Sequence, residues 1–121
     1  LDGNTSGAVN AATVTTLTGG AAAMNTAYAS NGITGLGNEA VTISDTTLAV
    51  ATLNTLNGNT TGGVNAATIN TLTGAAAAMN TAYTAGDAGE ITNLGNEAIT
   101  LTDTSIDAAY LNTLDAYITI C

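Results

Sequence analysis

The chain has 121 residues and carries nine carboxylates with no Lys, Arg or His, for a net charge of −9, so no side-chain salt bridge can form within it. The missing cations remove the phosphate-neutralising contribution on which nucleic-acid binding depends, and the attraction of basic segments to anionic membranes. With 45% apolar residues the chain lacks the low-hydrophobicity signature of disorder, and no apolar run approaches the roughly 18 to 20 residues of a membrane span.

Taken in order, the segment Val9 to Leu17 reads as a first strand, with Thr13 and Thr15 on one face. A helical segment ending near Tyr28 follows, and Ile33 and Leu36 serve as apolar pegs in the return loop. Ala40-Val41-Thr42-Ile43-Ser44 alternates apolar and hydroxyl residues and is expected to form a half-buried strand. Asp45 stands directly after it as the expected N-cap of a helix from Thr46. Leu48, Ala49, Thr52, Leu53 and Leu56 fall on one face of that helix, Val50 falls on the other, and Gly58 closes it.

Ala67 to Leu72 reads as the next strand, bent or bulged because Ile69 and Leu72 lie three apart. The run Ala75 to Tyr83 has high helix propensity and an apolar stripe at Ala76, Met79 and Tyr83. Ile91 and Leu94 are pegs like Ile33 and Leu36, and Ala98 to Thr102 is a strand followed by Asp103, a second expected N-cap.

These elements are written twice. Leu1 to Asn31 matches Leu56 to Gly86 at 22 of 31 positions with an offset of 55, and Ile33 to Asn57 matches Ile91 to Asp115 at 15 of 25 with an offset of 58. A three-residue insertion near Asp87-Ala88-Gly89 separates the two offsets. Such a period predicts a stack of like units, none able to bury its apolar face alone. The expected fold is an α/β repeat solenoid with two strand–helix turns per 55–58 residue repeat: parallel strands stacked into one sheet on one side, short helices on the other. Residues 1–55 form the first repeat and 56–121 the second, one continuous section of a longer array or filament.

The wording Ile33-Thr34-Gly35-Leu36-Gly37-Asn38-Glu39-Ala40-Val41-Thr42, with Asp45-Thr46-Thr47-Leu48 and Leu53-Asn54-Thr55-Leu56, resembles the repeats of giant secreted or cell-surface proteins of marine cyanobacteria. The resemblance runs through essentially the whole chain, and it implies an extracellular, non-catalytic structural or adhesive part. The chain departs from its own repeat after Leu114, where Asn-Gly-Asn-Thr-Thr-Gly gives way to Asp115-Ala116-Tyr117-Ile118-Thr119-Ile120-Cys121.

Without His, Lys or Arg, acid–base and nucleophilic chemistry is confined to carboxylates, Tyr and one Cys. Glu39 and Glu97 recur at equivalent places, which favours a role in the repeat over catalysis, so the chain is read as no enzyme and as needing no cofactor. The turns Asp2-Gly3-Asn4-Thr5, Asn57-Gly58-Asn59-Thr60 and Asp87-Ala88-Gly89-Glu90 offer oxygen ligands for calcium, as in a calcium-stabilised adhesion module, although none matches the EF-hand loop. Alternatively, their Asp and Asn are turn formers that bond their own backbone. A second alternative is ice binding through Thr ladders, from Thr42 with Ser44, Thr100 with Thr102 and Thr13 with Thr15 stacked about 4.8 Å apart.

Tyr28 and Tyr83 are expected over the ends of the core, with Tyr110 and Tyr117 covering the last turn. The expected partner is the chain itself, head to tail, with Asp103 to Ile120 covering Val9 to Leu17 of the next copy. Val9, Val14, Leu17, Ile106, Leu111, Leu114, Ile118 and Ile120 would carry that contact, and Cys121, which has no internal partner, is available for an intermolecular disulfide. The functional expectation is a structural subunit of an extracellular filament, sheath, surface layer or adhesin, with polysaccharide or a cell surface as further partners. The absence of Lys and Arg also leaves trypsin no cleavage site.

Overall fold

The computed structural model describes residues 2–118. Over that range the chain is a mixed α/β fold with nine short strands, all paired in parallel within three sheets, and four helices. It divides into four successive strand–helix units. The first holds β1 (Val9–Asn10), β2 (Thr16–Gly19) and α1 (Ala21–Ala29). The second holds β3 (Ile33–Thr34), β4 (Ala40–Ile43), β5 (Thr47–Ala49) and α2 (Val50–Asn59). The third holds β6 (Val64–Asn65), β7 (Thr71–Gly74) and α3 (Ala76–Asp87), and the fourth β8 (Ile91–Thr92), β9 (Ala98–Leu101) and α4 (Ala108–Tyr117).

The sheets run β1-β3, β2-β4-β6-β8 and β5-β7-β9, in place of the single sheet expected from the sequence. The expected strand 9–17 is broken by a turn, and the expected strand 67–72 begins with one and pairs only from Thr71. In the first unit Ala12 N–H donates to Asn10 Oδ1 at 3.0 Å, which turns the chain between β1 and β2 and leaves Thr13 and Thr15 outside any strand. In the third unit Ala67 N–H donates to Asn65 Oδ1 at 3.0 Å, so the bend expected at Ile69 is a turn between two strands. An Asn side chain that bonds its backbone two residues on competes with the ladder and stops it.

The second unit explains why the sheets are unequal. Its β3 and β4 pair with β1 and β2 of the first unit, Val9 facing Ile33 and Thr16 facing Ala40. Its β4 and β5 pair with β6 and β7 of the third, Val41 facing Val64 and Thr47 facing Thr71. The stack therefore advances by one strand position inside this unit. The helix expected from Thr46 begins at Val50, because Thr47–Ala49 is a strand with Leu48 buried. Val50, expected on the solvent side, is fully buried with Leu53 and Leu56, and Gly58 lies within the helix. The three inserted residues near Asp87 lengthen α3 to 12 residues against nine in α1. Strand alternation sends Val41, Ile43, Leu48, Val64, Leu72 and Ile91 into a core shared with Val50, Leu53, Leu56 and Met79 of the helices.

Candidate functional site: the joints between units

Side chains of one unit complete the backbone of its neighbour. Asp45 Oδ2 accepts the N–H of Ala21, the first residue of α1, at 2.7 Å, and Asp103 Oδ2 accepts that of Ala76 at the start of α3, also at 2.7 Å. The expectation had these carboxylates capping the helices that follow them. They instead satisfy the preceding unit's helix, because β5 and the segment 104–107 carry the chain away before α2 and α4 begin. The local cap of α4 is Asp107, whose Oδ1 accepts from Ala109 N–H at 2.9 Å. A carboxylate at a helix start meets both unsatisfied N–H groups and the positive end of the dipole.

The helices are cross-linked in the same manner. Asn25 Nδ2 donates to the Thr52 carbonyl at 3.0 Å, and Asn54 Nδ2 donates to that of Ala78 at 2.9 Å. Asn59 Nδ2 donates to Asn25 Oδ1 at 3.0 Å. Asn80, the repeat equivalent of Asn25, has a buried Oδ1 with no hydrogen-bond partner among the described residues. The position matching Asn59 is Tyr117, which stacks on Tyr83 with ring centroids 5.5 Å apart and planes 13° apart.

The most buried polar groups are Glu39 and Glu97, at 0% and 3% exposure. Glu39 accepts Gly37 N–H on both oxygens, at 2.9 and 3.1 Å, and the Tyr28 hydroxyl at 2.9 Å. Glu97 repeats it in part: its Oε2 accepts Gly95 N–H at 2.9 Å and the Tyr83 hydroxyl at 3.0 Å, while its buried Oε1 has no hydrogen-bond partner among the described residues. Burial pushes the Glu39 carboxyl up, but the N–H groups of Gly37, Glu39 and Asn38 together with the Tyr28 hydroxyl outweigh it and hold it below the ordinary carboxylate value. Burial, reinforced by the Glu39 carboxylate, pushes the Tyr28 hydroxyl up to about 12. Burial, reinforced by the Glu97 charge, raises the Tyr83 hydroxyl as well. Both carboxylates thus lock the turn before a strand to the helix before it. The Tyr and Gly-Asn-Glu elements recur in both copies, so the signal was in the sequence, but the pairing of Tyr with Glu depends on the loop between them.

The backbone comes equally close at the joint. Thr60 Oγ1 donates to the Glu39 carbonyl at 2.7 Å, and a Cβ on Gly62 would land on that carbonyl group. Thr68 Oγ1 lies 2.7 Å from the Ile43 carbonyl and 3.0 Å from that of Asp45.

The expected self-association residues divide. Leu114 belongs to the core, and Val9, Val14, Leu17, Ile106 and Ile118 are partly buried. Leu111 is 43% exposed and Tyr110, expected as a cover, 45%. Ile120 and Cys121 lie outside the described residues. The outward hydroxyl column runs Thr18, Thr42, Asn65, Thr92, and a second runs Thr47, Thr71, Ala98, so Asn and Ala interrupt both; Ser44 and Thr102 follow their strands.

Of the turns expected to offer oxygen ligands, Asn57 and Glu90 meet at 2.9 Å beside an open groove of about 430 Å³. No group of three or more Asp, Glu or Cys residues that could hold a metal occurs among the described residues. No helix among them is long and apolar enough to cross a membrane. Comparison of the chain with protein-family models, with curated proteins and with solved structures finds no match.

Proposed function

We propose that this chain is a non-catalytic structural section of an extracellular repeat assembly, a filament, sheath, surface layer or adhesin, in which α/β solenoid units stack end to end. The observation that supports this reading best is that units are completed by their neighbours: Asp45 and Asp103 cap helices of the preceding unit, and Asn25 and Asn54 bond the carbonyls of the next. A unit built this way gains from each neighbour added, as in quasi-one-dimensional repeat stacks. The extracellular setting follows from the resemblance of the repeat wording to secreted cyanobacterial repeats. Glu39 and Glu97, the carboxylates best placed for chemistry by recurrence, are buried and engaged with Tyr and Gly, which favours a structural role over catalysis.

Electron microscopy of the protein at high concentration, with sedimentation velocity under reducing and non-reducing conditions, tests the proposal. Fibres of regular pitch and a mass that grows with concentration are expected, and a reducible mass would assign a cross-link to Cys121. A monodisperse monomer at millimolar concentration overturns it.

A further inference from the structure

We propose that the first unit of a second copy of this chain docks on the fourth unit in the register that already joins the second unit to the third. The proposal rests on the end-to-end reading above and supplies its contact surface. Under the offsets of 55 and 58 the pairings inside the two repeats coincide: Val9 with Ile33 becomes Val64 with Ile91, and Thr16 with Ala40 becomes Thr71 with Ala98. The connection between repeats is then β4 with β6 and β5 with β7.

Carrying that connection forward by one repeat places Ile99 and Thr100 beside Val9 and Asn10 of the second copy. Ser105, Ile106 and Asp107, the equivalents of β5, come beside its Thr16, Leu17 and Thr18. Both faces are uncovered versions of surfaces buried at the internal joint. Leu111 is 43% exposed where its equivalent Leu53 is fully buried. On the opposite face Val9 and Leu17 are only partly buried, where Val64 and Leu72 are fully so.

The strand arithmetic supports the same occupant. A two-stranded sheet is marginal by itself, and β1-β3 has two residues in each strand. In the docked register it extends β5-β7-β9 to five strands. The polar contacts recur as well: Thr13 Oγ1 reaches the carbonyls of Leu101 and Asp103 as Thr68 reaches those of Ile43 and Asp45, and Asn112 reaches the Ala23 carbonyl as Asn54 reaches that of Ala78. The fourth unit brings Glu97, Asp103, Asp107 and Asp115, whereas residues 3–29 carry no ionisable acid or base apart from Tyr28, so the contact opposes no like charges.

One segment must move. Leu1 to Thr5 are the equivalents of Leu56 to Thr60, and in the fourth unit that place is held by Leu114 to Ile118. The short 3-10 turn Asp2–Asn4 of the incoming copy therefore swings out, and docking starts at Gly7, whose equivalent Gly62 lies against the Glu39 carbonyl. The contact is heterologous, so each docked copy presents a fresh face and the assembly propagates unless it closes into a ring.

Two single-cysteine proteins, Thr16→Cys and Ser105→Cys, each in a Cys121→Ser background and each checked for native circular dichroism, test the register with a short bis-maleimide. Both positions are exposed, so the fold should tolerate them. Cross-linked dimer is expected when the two are mixed and not when either is treated alone. Equal dimer yield from either protein alone means a head-to-head or tail-to-tail contact and overturns the proposal. Association by sedimentation without a cross-linked mixed dimer overturns the register while leaving end-to-end assembly standing, and absence of association overturns both. Removing residues 1–5 is expected to raise the mixed-dimer yield, and an unchanged or lower yield overturns the displacement step.

Discussion

The Asp45 carboxylate takes the backbone N–H of Ala21 at 2.7 Å from 24 residues further along the chain. A cap usually comes from the residue just before its helix, and here Gly20 supplies no side chain for that task. Asp45→Ala should lower unfolding free energy by about 1 kcal/mol, read as a shift in urea midpoint at constant slope. Asp45→Asn should recover part of the loss. Because Asp103 makes the same bond to Ala76 in another unit, Asp103→Ala should add to it without interaction, provided unfolding is two-state.

The Tyr28–Glu39 contact sets two pH limits. The Glu39 carboxyl is held below its ordinary value, so its contribution is present above pH 4.5 and is lost as pH falls through the lowered value. The Tyr28 hydroxyl is raised from 10.0 to about 12, so its contribution is present below pH 10 and fades as pH rises towards 12. Chemical denaturation at stepped pH should show a smaller acid slope in Glu39→Gln and a smaller alkaline slope in Tyr28→Phe, and, because each group contributes to the other's shift, each variant should also weaken the other limb by a smaller amount.

Gly62→Ala should destabilise by about 1–3 kcal/mol, since the new methyl meets the Glu39 carbonyl group and backbone there cannot rotate away as a side chain would. Gly58→Ala, in helix α2 with open space around its Cβ position, should instead be neutral or stabilising. Melting temperatures of the two variants provide the comparison.

With nine carboxylates and no cationic side chain, long-range electrostatics at neutral pH is dominated by repulsion. Raising sodium chloride from about 0.01 M to 0.15 M shortens the screening length from about 30 Å to 8 Å, so the melting temperature should rise. A fall on adding salt would mean that the carboxylates are engaged more favourably in the folded chain than the Asp45, Asp103 and Glu39 contacts account for.

Element types were legible in the sequence where burial pattern and propensity agreed. Ala40 to Ile43 forms the expected strand, and Ala76, Met79 and Tyr83 form the expected buried stripe. The reading failed at Thr47–Ala49, where Leu48 fits both a helical stripe and a strand alternation; pairing with Leu72 across the neighbouring unit decides for the strand. At Asn10 the side chain closes a turn inside the segment 9–17 expected as one strand, and Asn65 closes a turn at the start of the expected strand 67–72, which pairs only from Thr71. The joint residues Asp45, Tyr28 and Glu39 were visible as recurring, but their partners lie in other units or across a loop, and spacing along one chain does not reveal which helix a carboxylate will meet.

The extra strand of the second unit has a geometric consequence for any longer run of these repeats. Because β4 closes one pair of strands and opens the next, the second repeat begins its strands one position further round than the first. If the proposed stacking repeats this joint from copy to copy, a run of many copies would wind as a screw, turning each surface residue progressively around the long axis. No single side of such a rod would collect all copies of Thr42 or Thr73, and whatever it touches would meet each of its faces in turn.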